Sequence, residues 1–370
     1  MKRVLEIAPY KYLPYHTGGQ KSIALYLQYL GEKTDLSVIS VSDNDNKSIK
    51  SYRCYPLLKV KSSRYADFSL ASKIITLIKK EKFDKIVWEH PYFAWLAWYI
   101  KKKTGILTVV HTHNIEYQRF RSTGKWWWPI LKLYEGWFLK FADLVFFKTS
   151  EDKDIAISVW KINSQKCVIV PFGVDINEYP ANKVECRNKI HKNHGLDVSE
   201  KIFLFNGALQ YKPNSDALTD ILERINPLLL SKATFPYKII ICGKGLPAGF
   251  NELKEYADKN IIYAGFVDNI EMYFKGADLF LNPVQSGGGI KTKMVEAIGF
   301  GTTVIATKTG AAGIEKKVCG DKLVIVNDND WDAFCEAVVL NANDTAVTPG
   351  EYYQTYYWKN IAERLAISIL

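Results

Sequence analysis

The chain is short of the features that would mark several common protein classes. Its six cysteines, Cys54, Cys167, Cys186, Cys242, Cys319 and Cys335, include no CxxC pair. Thiols scattered in this way argue against a zinc site and for a reducing, cytosolic compartment. Cys242 falls inside an apolar run and reads as a buried free thiol. No stretch of about 18 uninterrupted apolar residues occurs, so no membrane-spanning helix is expected. No long apolar segment opens the sequence, where Met1-Lys2-Arg3 leads straight into a strand, so no export signal is expected either. There is no repeat at solenoid period and no low-complexity segment. No basic block of nucleic-acid-arm type stands out; Lys101-Lys102-Lys103 closes a helical pattern, and no nucleic-acid partner is expected.

What is present is a basic, ordinarily hydrophobic chain. Its 370 residues suggest two domains, and 48% hydrophobic with 24% charged residues suits sizeable folded cores. A formal charge of +10 fits an anionic partner: nucleic acid, an anionic membrane face or phosphorylated small molecules. Strand and helix patterns alternate throughout. Short apolar strands read at Arg3–Ala8, Leu36–Val41, Asp84–Trp88, Leu107–Thr112, Asp143–Lys148 and Lys166–Val170. Helical patterns fall between them, near Ala66–Lys82, Tyr92–Lys103, Lys125–Ala142 and Ser150–Trp160. After Pro171-Phe172-Gly173-Val174-Asp175 a polar stretch runs to Glu200 and reads as a linker. A second alternation starts at Lys201, with a helix over Asn214–Leu229 and further strands to Leu323–Val326. The tail carries Trp358, Ile361, Ala362 and Leu365 at helical spacing. The pattern predicts an α/β chain with two doubly wound parallel sheets: residues 1–172, a linker at 173–200, 201–350, and a C-terminal helix in 351–370. In such sheets ligands bind beyond the strands' carboxyl ends.

The most informative segment runs from Asn282 to Ala297. Gly287-Gly288-Gly289 follows an apolar strand and precedes a helical stripe of Ile290, Met294, Ala297 and Ile298. Glycines at a helix N-terminus expose free backbone N–H groups to an anion. Lys291 and Lys293 flank the loop as point charges for phosphate. Lys293 and Glu296 are expected to share a polar sector away from the stripe. Amides, lysines and a carboxylate for ribose hydroxyls would together hold a nucleotide diphosphate. The alternative is a glycine-rich surface turn before an ordinary helix. In Val109-Val110-His111-Thr112-His113-Asn114 the two histidines share one strand face. That pairing raises a metal site, but no third ligand is near in sequence, and no metal is expected. Glu116 is either a polar contact or a helix-start charge. Lys125-Trp126-Trp127-Trp128 suits a membrane interface, an acceptor pocket, or packing on the following helix.

In order, these stations resemble the GT-B glycosyltransferases, specifically the large retaining family 4. The resemblance rests on Gly18-Gly19 before the first helix, His113-Asn114, Lys148-Thr149-Ser150-Glu151-Asp152, and Val170 to Asp175. It continues through Phe205-Asn206-Gly207-Ala208-Leu209, Ala264-Gly265-Phe266-Val267, the glycine loop through Glu296, and Tyr357 to Ala362. It implies two Rossmann-like domains facing across a cleft, with the C-terminal helix returning to the N-terminal, acceptor-side domain. It also implies transfer of a sugar from a nucleotide-diphosphate sugar with retention, without metal or other cofactor, to a glycan, lipid-linked or small-molecule acceptor. His113 would lie near the transferred sugar and Gly18 and Gly19 near phosphate or acceptor. The base would sit near Phe266 and Val267 and the ribose on Glu296. The diphosphate would lie on Gly288, Gly289 and Ile290, with Gly207, Lys291, Lys293 and Lys212 around it. An anionic lipid-linked acceptor would make the protein peripheral at the inner membrane face.

Three family positions depart from the pattern. Gly288 stands where a first glutamate is usual, Ala208 where an arginine is usual, and Pro213 where a lysine is usual, with Lys212 adjacent. These departures leave the donor sugar open. Two other readings stay open: a nucleotide-sugar epimerase of the same fold, whose set of acid–base carboxylates Gly288 weakens, and a catalytically silent binding protein, which the missing glutamate supports.

Overall fold

The computed structural model describes residues 2–369, Gly288 excepted. Along the chain run β1 (Arg3–Ile7), α1 (Gly18–Gly31), β2 (Asp35–Val41), β3 (Arg53–Leu58), α2 (Ser69–Glu81), β4 (Lys85–Glu89), α3 (Ala94–Thr104) and β5 (Leu107–His111). Next come α4 (Glu116–Ser122), α5 (Trp128–Phe141), β6 (Leu144–Phe147), α6 (Ser150–Trp160), β7 (Cys167–Ile169) and α7 (Lys183–His194). The second alternation is β8 (Lys201–Asn206), α8 (Lys212–Asp220), α9 (Asn226–Lys232), β9 (Tyr237–Cys242), β10 (Ile261–Gly265), α10 (Ile270–Gly276) and β11 (Leu279–Asn282). It ends with α11 (Thr292–Gly299), β12 (Thr303–Thr307), α12 (Lys316–Cys319), β13 (Leu323–Val326), α13 (Trp331–Asn341), α14 (Gly350–Tyr356) and α15 (Trp358–Ile369).

The chain divides into two compact units. The first holds residues up to Asp175 together with Gly289, Ile290 and the segment from Trp358 onward. Its sheet has seven parallel strands in the order β3-β2-β1-β4-β5-β6-β7. The second holds a six-stranded parallel sheet, β10-β9-β8-β11-β12-β13. Strands covered on both faces read as continuous apolar runs, and β4 is buried along its whole length. In each unit the strand order reverses once, between β1 and β4 and between β8 and β11. Those two switch points are where an open α/β sheet forms a crevice.

Several boundaries differ from the sequence reading, each for a physical reason. The stretch 173–200 is not plain linker, because Lys183–His194 folds as α7 and packs on α10. Gly276 makes the approach: a Cβ there would stand 2.6 Å from the tip of Ile190. Arg187 then ties α7 to Asp278 and to the Glu200 carbonyl. Only Cys186, Ile190 and His191 of α7 are buried, so its stripe is too thin to see in the pattern. The helix expected over Asn214–Leu229 is broken by a π-helical turn at Ile221–Ile225, just before Pro227. Residues 351–370 split between the units: Tyr352 and Tyr353 of α14 donate to the Val295 and Gly299 carbonyls of α11, while α15 packs on α1. There the Trp358 N–H reaches the Val174 carbonyl, and Lys33 pairs with Glu363 at 2.7 Å. Gly173 leaves room for the Trp358 ring, which a Cβ would meet at 2.6 Å.

Candidate functional site

The second unit's switch point carries the phosphate-type residues. β8 ends at Asn206, and Gly207 follows with its N–H on the Cys242 carbonyl. A Cβ on Gly207 would meet the Asn214 side chain at 2.6 Å, so the glycine makes room for that amide. Asn214 donates to the Ala208 carbonyl and accepts from Lys293 Nζ at 2.9 Å. The same ammonium donates to the Asn206 carbonyl at 3.0 Å and lies 4.6 Å from the centre of the Phe205 ring. Burial, with Lys291 close by, pushes Lys293 down to about 7. Lys291 donates to the Gly287 carbonyl at 2.9 Å. Lys293 is thus the cation held at the C-terminal end of β8. Lys212 is not: it is exposed and paired with Asp216 one turn on. The cation missing after β8 in sequence is supplied from α11.

Glu296 corrects the sequence reading in one respect. It was expected on a polar sector, yet it is only 9% exposed, and Met294 to Gly299 are buried throughout. A carboxylate enclosed in this way is a preformed feature, not a solvated helix charge. The base-binding candidates lie after β10, which ends at Gly265. Phe266 is half exposed and the Lys244 ammonium sits 3.8 Å from its ring centre; Val267 is partly buried. Gly289 and Ile290 group with the first unit, where a Cβ on Gly289 would run into Asn114. Gly288 lies outside the described residues.

The first unit's switch point carries a buried cluster of ionisable groups. Glu89 ends β4, and its carboxylate bridges two imidazoles: Oε1 meets His111 Nδ1 at 2.8 Å, and Oε2 meets His113 Nε2. Glu6 of β1 receives the Tyr26 hydroxyl at 3.5 Å on one carboxyl oxygen, and its other oxygen is buried with no hydrogen-bond partner. Lys148, at the end of β6, is buried beside them with no hydrogen-bond partner for its ammonium. Burial first, then the charge of Glu89, raises Glu6 well above the carboxylate range. Burial opposes charge on Glu89 too, but His111 and His113 hold it well below that range. Burial lowers His111 to about 4, lowers His113 as well, and lowers Lys148 to about 8. The cluster therefore sets its two carboxyls apart, Glu6 toward the protonated form and Glu89 toward the anion, beside imidazoles pushed toward the neutral form and a buried Lys148.

A second tier surrounds this set. The His90 ring stacks on His113 with centroids 4.3 Å apart and accepts or donates at Tyr10. Glu116, expected as either a contact or a helix-start charge, is fully buried and bonded to Tyr92 and Arg119. Burial opposes its charge, but His90 and Arg119 hold it down to about 2. Glu135 accepts the first backbone N–H groups of α4 at Glu116 and Tyr117, and burial pushes it up to about 8. A cavity of about 310 Å³ opens next to this tier, lined by Asn114, Ile115, Gln118, Arg119, Asp152 and neighbours. Gly18 and Gly19 begin α1, whose N-cap Thr17 forms a capping box with Gln20. A Cβ on Gly19 would meet nothing within 4 Å, so the helix start faces open space.

Glu89 also supplies the third ligand that the histidine pair lacks in sequence. One donor atom from each of Glu89, His111 and His113 lies within 4.8 Å of the others. Those atoms already satisfy one another as hydrogen bonds, and the buried Lys148 cation disfavours a second positive charge beside it. The sequence reading passed over Glu6, Glu89, His90 and Lys148's charge. Both glutamates sit inside apolar strands with no period to mark them.

Two family models match the chain: "Glycosyltransferase Family 4" over residues 17–178 and "Glycosyl transferases group 1" over residues 200–344. An Escherichia coli protein described as UDP-Gal:alpha-D-GlcNAc-diphosphoundecaprenol alpha-1,3-galactosyltransferase is 25% identical over 92% of this chain and 88% of its own. Among solved structures, sucrose-phosphate synthase from Thermosynechococcus elongatus superposes with a TM-score of 0.75 at 14% identity, covering 100% of this chain and 98% of that one. Anabaena HepE in complex with UDP and glucose gives 0.70 at 15% identity, over 100% and 99%.

Proposed function

The chain belongs to the group 1, family 4 glycosyltransferases of GT-B fold, and from that premise we propose that it moves a sugar from a UDP-sugar to a lipid-diphosphate-linked acceptor. The observation that carries the donor half is the enclosed Lys293 at the end of β8, one turn from the enclosed Glu296. The similarity to a UDP-galactose-dependent enzyme acting on a diphosphoundecaprenol acceptor supports the choice of base and acceptor. In this reading Glu296 accepts the ribose hydroxyls, Phe266 and Val267 flank the base, and Lys291 and Lys293 take the diphosphate with the first amides of α11. Breaking the glycosidic C–O bond leaves charge on a nucleoside diphosphate. Cations and a helix N-terminus aimed at that charge stabilise it without reorganising. His113, oriented by Glu89, is the residue assigned to the transferred sugar. Retention of configuration is part of the proposal and follows the family.

Glu296→Ala is expected to weaken UDP binding by about 1.5–3 kcal/mol, the worth of a charge-assisted hydrogen bond, with little change in unfolding temperature. Calorimetry with UDP reads it, and unchanged affinity removes Glu296 from the site. A thermal-shift screen against UDP-, GDP-, dTDP- and ADP-sugars tests the base directly.

The proposal is also metal-independent, because two lysines stand where a metal-dependent site would place acidic ligands. Transfer is expected to continue in excess EDTA. Complete loss, restored by Mg²⁺ or Mn²⁺, would show that a cation bridges the phosphates or fills the Glu89–His111–His113 set.

A further inference from the structure

The outward face of α5 is apolar. Trp126, just before the helix, is 83% exposed, and Ile130, Leu133 and Trp137 follow at 64%, 76% and 38%. At about 100° per residue they fall in one sector, while Leu131, Glu135, Phe138 and Leu139 occupy the buried side. A helix facing water places polar side chains on its outer sector. Here Lys140 is the cation on that sector. Trp98 of α3 extends the stripe, its ring centre 6.1 Å from that of Trp137. Trp127 and Trp128 do not belong to it. They are half-buried, packed on Phe120 and Tyr117 respectively. A contiguous exposed apolar patch of this kind marks an interaction site.

The exposed charge along α3 to α5 is basic, and Asp143, just past α5, is tied to Lys101 at 2.7 Å. Between residues 91 and 142 the acidic side chains are Glu116 and Glu135, and both are fully buried. Lys102, Lys103, Lys125 and Lys140 are exposed. A second copy of the chain on this face would bring like charges together. An anionic bilayer meets both demands: its acyl boundary takes the rings and aliphatic side chains, and its phosphates take the lysines.

We propose that α5, extended by Trp98 of α3, is the face on which this protein lies against an anionic membrane. The apolar stripe sits at the headgroup–acyl boundary with the lysine rim on the lipid phosphates. The choice of occupant draws on the lipid-linked acceptor proposed above; the face itself does not.

The full chain is sedimented with vesicles of equal parts phosphatidylglycerol and phosphatidylcholine, and with pure phosphatidylcholine vesicles. Association is expected with the first, weakly with the second, and is expected to fall as salt rises. Ile130→Glu with Leu133→Glu is expected to lower the partition coefficient roughly tenfold or more. Replacing Lys102, Lys103, Lys125 and Lys140 by Gln is expected to remove the preference for anionic vesicles. UDP affinity, measured by calorimetry on the same samples, is expected to be unchanged in both variants, which shows that they are folded. No association at low salt, or association that the glutamates leave intact, overturns the proposal. So does a concentration-dependent dimer dissolved by the glutamates without vesicle binding, since the stripe is then a self-association surface. If the wild-type chain binds vesicles but no UDP, the docking face stands and the donor assignment falls.

Discussion

Lys293→Gln is expected to weaken UDP binding at pH 7 by roughly ten- to a hundredfold, the range of a hydrogen-bonded charge. The wild-type protein is expected to show a pH dependence that this variant lacks. The ammonium is held down to about 7, against an ordinary 10.5, by burial and by Lys291. A bound diphosphate favours the charged form and raises that value. Above about pH 7 binding must therefore take up a proton, and affinity falls as pH rises, by at most about tenfold per unit. The window runs from about 7 up to the bound-state value. UDP titrations at pH 8 in two buffers of different ionisation enthalpy read the proton directly. An identical pH profile in Lys293→Gln would mean that another group carries the phosphate charge.

The buried cluster of the first unit predicts an asymmetry between its two glutamates. Glu89→Gln is expected to cost about 3–5 kcal/mol of stability, because it takes the buried anion from its bonds to His111 and His113 and from the field at the buried Lys148 ammonium. Glu6→Gln is expected to cost about 1 kcal/mol or less, since burial and the charge of Glu89 push Glu6 toward its neutral form and an amide retains its shape and a donor. The linkage has opposite signs. Glu89, depressed on folding, stabilises above the usual carboxylate value, and that contribution is lost as pH falls through its folded value. Glu6, raised on folding, stabilises fully below the usual value and loses that contribution as pH rises through its own. Urea denaturation of both variants at pH 7 decides the matter. Equal losses would mean that the carboxyls share the proton evenly.

The candidate donor loop could be picked out in sequence because the physics that suggests it is local. Glycines beside a helix start with two lysines need no tertiary knowledge, and Lys291, Lys293 and Glu296 lie within six residues. The parallel strands were legible because a sheet covered on both faces leaves unbroken apolar runs. β3 was not: Arg53–Leu58 is an edge strand with Pro56 and mixed exposure, so neither alternation nor a continuous run marks it. The Glu6–Glu89 pair was illegible for a different reason. Each is a lone carboxyl in an apolar strand, and only the β1–β4 pairing, with Glu6 opposite Val87, places the two strands side by side. The place of Lys212 could not be read along the chain near Pro213: its ammonium pairs with Asp216 on the surface. The ammonium at the end of β8 comes from Lys293, 87 residues after Asn206.

The C-terminal end of α5 bears on how the docking face would work. Lys166 donates to three carbonyls there, those of Leu139, Lys140 and Ala142, at 2.7, 2.8 and 2.9 Å. Helix ends leave such carbonyls without intrahelical partners, and here a side chain from beyond β6 closes them. The helix is therefore finished before any lipid arrives. A free amphipathic peptide gains its helicity at the interface and loses chain entropy in doing so; this segment has already lost it during folding. Far-ultraviolet circular dichroism should then be the same with and without anionic vesicles, while tryptophan emission shifts to the blue. Adsorption of this kind behaves as a rigid stamp pressed on a surface, and its on-rate is set by diffusion and charge, with no waiting time for a helix to form.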